Sequence, residues 1–308
     1  MGKWIQRASM PTPRHDLQAI AVGEKIYAIS GGGDLTSEVV EIYDVEHDVW
    51  SPGPSITTKR GWFGAVLLGQ KIYAMGGKTV RPEEEIERTG DPGKYDIRDS
   101  LEVLDLASCR WSFLPPMSAT RAGLVATVCK GRIYALGGNA MNSETRSGGP
   151  HLDRVEVYDP HSGQWAMGVP MPLGLQGPSV ATVDDRIYLT SGIGGPEGKA
   201  NSRTYAFDPD TEKWDSLAPV PTPRCDSGVA VLDRKIYTFG GWGNGYHDEV
   251  EIYDIDADSW SSDSPMPDKK AWLAAATVGE RIFVMGGAYK LRDAPSFKWI
   301  DDLHEFAC

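Results

Sequence analysis

The sequence predicts an all-β fold, a six-bladed β-propeller whose last blade is completed by the N-terminal strand, and three observations carry that expectation. Trp4, Trp50, Trp111, Trp165, Trp214 and Trp260 recur at spacings of 46, 61, 54, 49 and 46 residues. An isoleucine stands 22 residues after each of them (Ile26, Ile72, Ile133, Ile187, Ile236, Ile282), and five residues later comes a glycine (Gly31, Gly77, Gly138, Gly192, Gly241, Gly287). Asp44, Asp105, Asp159, Asp208 and Asp254 each precede a tryptophan by six residues. A long period held in fixed register marks stacked units, none of which buries its apolar face alone.

The elements follow in order. KWIQRA, around Trp4, is a strand that precedes the first full unit. Each unit then opens on an apolar stretch such as GAVLLG, LVATVC or GVAVLD, and a tight turn leads into the isoleucine strand, as in KIYAMGG and RIYALGG. The third strand reads VEIYD, LEVLD or VEVYD, and the tryptophan segment is the fourth. β-Branched and aromatic runs stopped by glycine favour extended chain, and four antiparallel strands per unit suit a blade. The last unit has Ile282, Gly287 and a third strand near Asp302 to Phe306, then stops without a tryptophan strand. Residues 3 to 8 are expected to supply it, which removes an open sheet edge. The chain, 1–308, is read as a single propeller.

These markers resemble the Kelch repeat: a glycine pair after the second strand, an aromatic-Asp near the end of the third, and a tryptophan six positions on. The match covers essentially the whole chain, with Ser30 and Ser191 replacing the first glycine and Leu104 replacing the aromatic.

Composition agrees with a packed, turn-rich protein: 41% hydrophobic residues, 35 glycines, 21 prolines and 10 tryptophans in 308 residues. Global disorder is excluded. With 31 basic against 43 acidic residues the net charge is −12, which opposes binding to nucleic acid or to an anionic membrane. No apolar run approaches the ~18 residues of a membrane helix, and MGKWIQRASMPTPR lacks an export signal's apolar core, so a cytoplasmic monomer is expected. Cys109, Cys129, Cys225 and Cys308 lie far apart, implying neither a zinc site nor a disulfide framework, and no cofactor motif is present.

Function is expected where length varies. From marker glycine to next aspartate the chain runs 13, 28, 21, 16 and 13 residues, so insertions fall on one rim. Ten residues after each tryptophan stand Arg14, Arg60, Arg121, Leu175, Arg224 and Lys270. The Kelch resemblance implies that this junction lies on the same rim, giving a cationic ring suited to carboxylate, sulfate or phosphate. The alternative is a structural ring that bonds backbone carbonyls of neighbouring blades. Two residues further on come Asp16, Trp62, Gly123, Gly177, Asp226 and Trp272. Trp62 and Trp272, with Trp242, Tyr246 and Tyr289 in rim loops, are candidate aromatic contacts, and His15 follows Arg14. The partner expected is an acidic peptide or an anionic small molecule. The charged insertion from Lys78 to Asp99 reads as a solvated flap, whose Glu83, Glu84 and Glu85 could cover a basic mouth. The blade-three insertion NAMNSETRSGGPH reads similarly.

No Walker, HExxH or GxSxG motif is present. His15, Asp16 and Asp226 are the nearest acid-base candidates, and Cys225, beside a cation, is a candidate reactive thiol. The alternative to a binding module is an enzyme acting on an anionic sugar, as the sialate epimerase group of Kelch proteins implies.

Overall fold

The computed structural model describes residues 2–33, 36–81, 83–89, 95–140, 149–195, 197–290 and 296–307. Six four-stranded antiparallel sheets are formed among them. The first runs Gln18–Val22, Lys25–Ile29, Val40–Asp44 and Val49–Pro52 from inside to outside. The innermost strands Gln18–Val22, Gly64–Leu68, Ala122–Cys129, Ser179–Val183, Gly228–Leu232 and Ala274–Val278 touch one another in that order, and the last touches the first. This is a β-propeller.

Each repeated residue has a visible duty. The six isoleucines are buried between blades. The aspartates end the third strand and accept backbone N–H groups in the following hairpin, as Asp105 does from Ser108 and Asp254 from Asp256. The tryptophans tie blades together: Nε1 of Trp50 donates to Ala8 O (2.7 Å), Trp111 to Pro54 O (2.8 Å), Trp165 to Pro115 O (2.9 Å) and Trp260 to Ala218 O (2.9 Å), each carbonyl belonging to the chain leaving the preceding blade. The marker glycines have φ between 78° and 105°, and a Cβ on Gly77 would stand 2.7 Å from Gly61 O. Ser30, in the left-handed region at φ 52°, is held there by its hydroxyl, which lies between two acceptors, Ser37 O (2.6 Å) and Arg60 O (2.8 Å), and accepts from Arg60 N (3.1 Å).

The sixth sheet contains both ends of the described chain. Lys3–Arg7 pairs antiparallel with Leu303–Ala307, Trp4 opposite Phe306. Trp4 donates to Ser264 O (3.2 Å), the same blade-to-blade bond the other tryptophans make. Gly287 N donates to Arg14 O (3.0 Å), joining the sixth sheet to the first as Gly31 N to Arg60 O (2.9 Å) joins the first to the second.

Among the described residues no helix is long and apolar enough to cross a membrane. The Lys78–Asp99 insertion differs from the solvated flap expected. Its base is a ladder, Lys78–Val80 against Tyr95–Ile97, followed inward by a short helix, Glu83–Thr89, in which Glu85 pairs with Arg81 (3.2 Å). Most of the blade-three insertion, at 141–148, lies outside the described residues.

Candidate functional site

The repeated cations do not face a channel mouth. Arg14, Arg60, Arg121 and Arg224 have no exposed surface, and Lys270 is 2% exposed. The Arg14 guanidinium donates to Ser30 O, Val39 O and Ala28 O and to Glu41 (2.7 Å). Arg121 bonds Gly137 O, Arg154 O, Ala135 O and Glu156 (2.9 Å). Arg60 pairs with Glu102, Arg224 with Glu251, and Lys270 with Asp302 (2.6 Å). The expectation of five ligand-facing cations is corrected on this geometry: the forks hold carbonyls of their own blade, and buried carboxylates neutralise them. Burial lowers the pKa of each arginine, and the glutamate opposes that shift. Reversing the charge at position 60 or 121 would therefore break a buried pair, which costs about 3–5 kcal/mol rather than the ~1 kcal/mol of a surface change.

Two residues past each of the five cations and past Leu175 the chain enters the left-handed region, at Asp16, Trp62, Gly123, Gly177, Asp226 and Trp272, with φ from 53° to 67°. Their backbones link round the mouth. Asp16 N donates to Trp272 O, Trp272 N to Asp226 O, Asp226 N to Gly177 O, Gly177 N to Gly123 O and Gly123 N to Trp62 O, all at 2.8–2.9 Å. Among the described residues no such bond runs from Trp62 to Asp16.

Beside that gap opens a cavity of about 330 Å³, between the first, second and sixth blades. His15, Asp16 and Thr36 come from the first, Trp62, Lys78 and Tyr95 from the second, and Trp272, Phe297 and Trp299 from the sixth. Gly61 and Lys78 exchange both backbone bonds (2.9 Å each), which fixes the start of the rim loop against the turn that carries Trp62. Lys78 Nζ consequently lies 3.5 Å from the Trp62 ring centre and 4.7 Å from that of Tyr95. His15 stacks on Trp299 (centroids 4.7 Å, 19°), and Phe297 stacks on Trp299 (5.5 Å, 14°).

Of the aromatics named from sequence, His15, Trp62 and Trp272 meet here. Tyr246 stands edge-on behind Trp272 (6.0 Å), while Trp242, 38% exposed, and Tyr289, paired with Lys298, lie outside the cavity wall. Lys78, Tyr95, Phe297 and Trp299 were not foreseen. Lys78 had a signal, since it immediately follows a marker glycine pair. The other three lie inside insertions, where the repeat register is silent.

Burial disfavours a charge on His15, but Asp16, whose Oδ2 is 3.2 Å from Nδ1, outweighs it and raises the pKa. Asp226 is pushed up to about 7 by burial and then by the charge of Asp16. Cys225 is buried, its Sγ donating to Asp226 (3.2 Å), and burial drives its pKa well up, so the reactive thiol considered from sequence is an inert one. Among the described residues no three His, Cys, Asp or Glu side chains gather as metal ligands.

Residues 93–287 match the KLHDC2/KLHL20/DRC7 Kelch-repeats domain, and residues 13–57 and 60–118 match the Kelch motif. Kelch-like protein 15 of Danio rerio is 29% identical over 193 residues, which is 62% of this chain and 32% of that protein. Alpha-scruin of Limulus polyphemus is 25% identical over 202 residues, 65% of this chain and 21% of that one. The chain thus spans about a third or less of the length of these relatives. The solved structure of YjhT superposes with a TM-score of 0.78 at 16% identity, covering 98% of this chain and 99% of that one, a likeness of fold. The chain belongs to the Kelch-repeat family.

Proposed function

We propose that the chain is a single six-bladed ring, closed by its N-terminal strand, that recognises an acidic segment of a protein partner at the cavity on its loop rim. The observation that carries this reading is a set of rim lysines without close ion-pair partners. Lys78 lies over Trp62, Lys290 over Phe297 (5.8 Å) and Lys298 over Tyr289 (5.5 Å); among the described residues none forms a close ion pair, and the carboxylates that act on them, Asp226 on Lys78 and Asp268 and Asp302 on Lys298, do so from farther off. In a chain of net charge −12, three lysines set on aromatic faces of one rim are a local concentration of positive charge, with Asp16 as the carboxylate of the cavity wall. An acidic segment would gain from that field without displacing an existing partner. The sign of the ligand stays as the sequence implied, while the cations that would meet it are lysines of the loops instead of the buried arginines.

The test is calorimetric titration with deca-glutamate and deca-lysine at low and at physiological salt. Deca-glutamate should bind, and the triple change Lys78→Glu, Lys290→Glu, Lys298→Glu should weaken it at least tenfold while leaving the melting temperature unchanged. Equal binding of both peptides, or binding indifferent to the triple change, refutes the reading. A second reading, chemistry on an anionic sugar, draws on the high pKa of Asp226. Turnover of a sialic acid that is lost in Asp226→Asn would favour it.

A further inference from the structure

The cavity has chemistry beyond its charge. Asp16 is 8% exposed, and its Oδ1 has no hydrogen-bond partner. A buried acceptor left without a donor is unfavourable, and a hydroxyl that reaches it would relieve that. The wall is mostly ring surface: Trp299 lies in a parallel stack with His15 and Phe297, and Trp272 meets Phe297 edge-on (5.7 Å, 75°). Such a wall favours a flat ring. Other polar groups of the lining include the indole N–H groups of Trp62 and Trp272, both without hydrogen-bond partners, and the Thr36 hydroxyl, which accepts from Val80 N (3.2 Å). The volume, about 330 Å³, is at the small end for ligand pockets and admits one side chain or a small molecule. Lys78 supplies a single cation on the Trp62 face.

We propose that the cavity takes a 4-hydroxyphenyl carboxylate: a ring that lies on the tryptophan wall, a carboxylate met by the Lys78 ammonium, and a phenolic hydroxyl that donates to Asp16 Oδ1. This rests on the rim's being the binding face, and it narrows the ligand from acidic to aryl-acidic. The same chemistry is carried by a free hydroxyaryl acid and by the C-terminal tyrosine of a partner chain.

The experiment compares matched probes on the intact protein by calorimetry. 3-(4-Hydroxyphenyl)propionate should bind at least fivefold more tightly than 3-phenylpropionate, and Gly-Gly-Gly-Tyr with a free carboxylate at least tenfold more tightly than its amide. Asp16→Gly, which keeps the left-handed backbone at this position and removes the acceptor, should erase the hydroxyl preference, and Lys78→Met the carboxylate preference. The wild-type comparisons require no variant to fold. Absence of both preferences, or their survival in the two variants, overturns the proposal. If aryl acids fail while deca-glutamate still binds through the three lysines, the ligand class falls and the rim reading stands; if neither binds, both fall. A peptide that outcompetes the free acid tenfold identifies a C-terminus as the source, and equal affinity identifies the free molecule.

Discussion

Arg121 and Asp226 stand on equivalent turns two blades apart, and burial opposes the charge of both, yet only one is compensated. The arginine is compensated by Glu156 and three carbonyls, so it stays charged inside the blade. Asp226 has a thiol as hydrogen-bond donor, Asp16 as a like charge and Lys78 as a more remote cation, and its pKa of about 7 reflects that shortfall. An aspartate whose folded pKa exceeds the unfolded value near 4 binds its proton more tightly in the native state, so stability falls as pH rises from about 4 to about 7 and is level above. Asp226→Asn should remove this loss. Denaturant unfolding at pH 5 and pH 8 is expected to show the variant gaining about 1–4 kcal/mol on the wild type between the two values. A difference independent of pH would show that Asp226 is ionised throughout. At this scale the sequence was legible in part. The glutamates that neutralise the ring, Glu41, Glu102, Glu156 and Glu251, were in view three residues before each marker aspartate, and the blade with Leu175 in place of arginine has Tyr205 in place of glutamate. Strand alternation alone does not say which face is inward, so the pairing could not be drawn from position.

The tryptophan strands are where element-level register and stability meet. Each outermost strand is an exposed edge, and the indole that reaches the preceding blade's carbonyl is what docks it sideways. Trp214 is the exception, its Nε1 lacking a partner. Lys3–Arg7 adds five ladder pairs to the sixth sheet and places Trp4 against Phe239 (5.9 Å) and Phe306 (4.8 Å). Deleting residues 1–8 should cost at least about 3 kcal/mol, since the loss includes a large half-buried aromatic packed on the core as well as the ladder. Thermal unfolding of the truncated chain checks it, and an unchanged melting temperature would mean that the strand is dispensable to the ring. These strands were readable because isoleucine, glycine, aspartate and tryptophan stand at constant intervals. The insertions were not, because nothing periodic fixes a loop: the ladder between Lys78–Val80 and Tyr95–Ile97 and the pair Phe297 and Trp299 arise from tertiary contact alone.

For the molecule as a whole, the repeat makes fold easier to read than function. Identical registers specify the same blade six times, whereas a site requires that blades differ, and the differences here concentrate at one gap in the backbone linkage of the mouth, between Asp16 and Trp62. The pairing of Lys3 with Ala307 has a mechanical corollary. The two ends leave the ring side by side, on antiparallel neighbours, so tension applied to them loads the hydrogen bonds one rung after another and peels the strand open like a zipper. Resistance to pulling is then set by a single rung at a time, and a tether attached at both ends would open this ring at its seam before it disturbed any other blade.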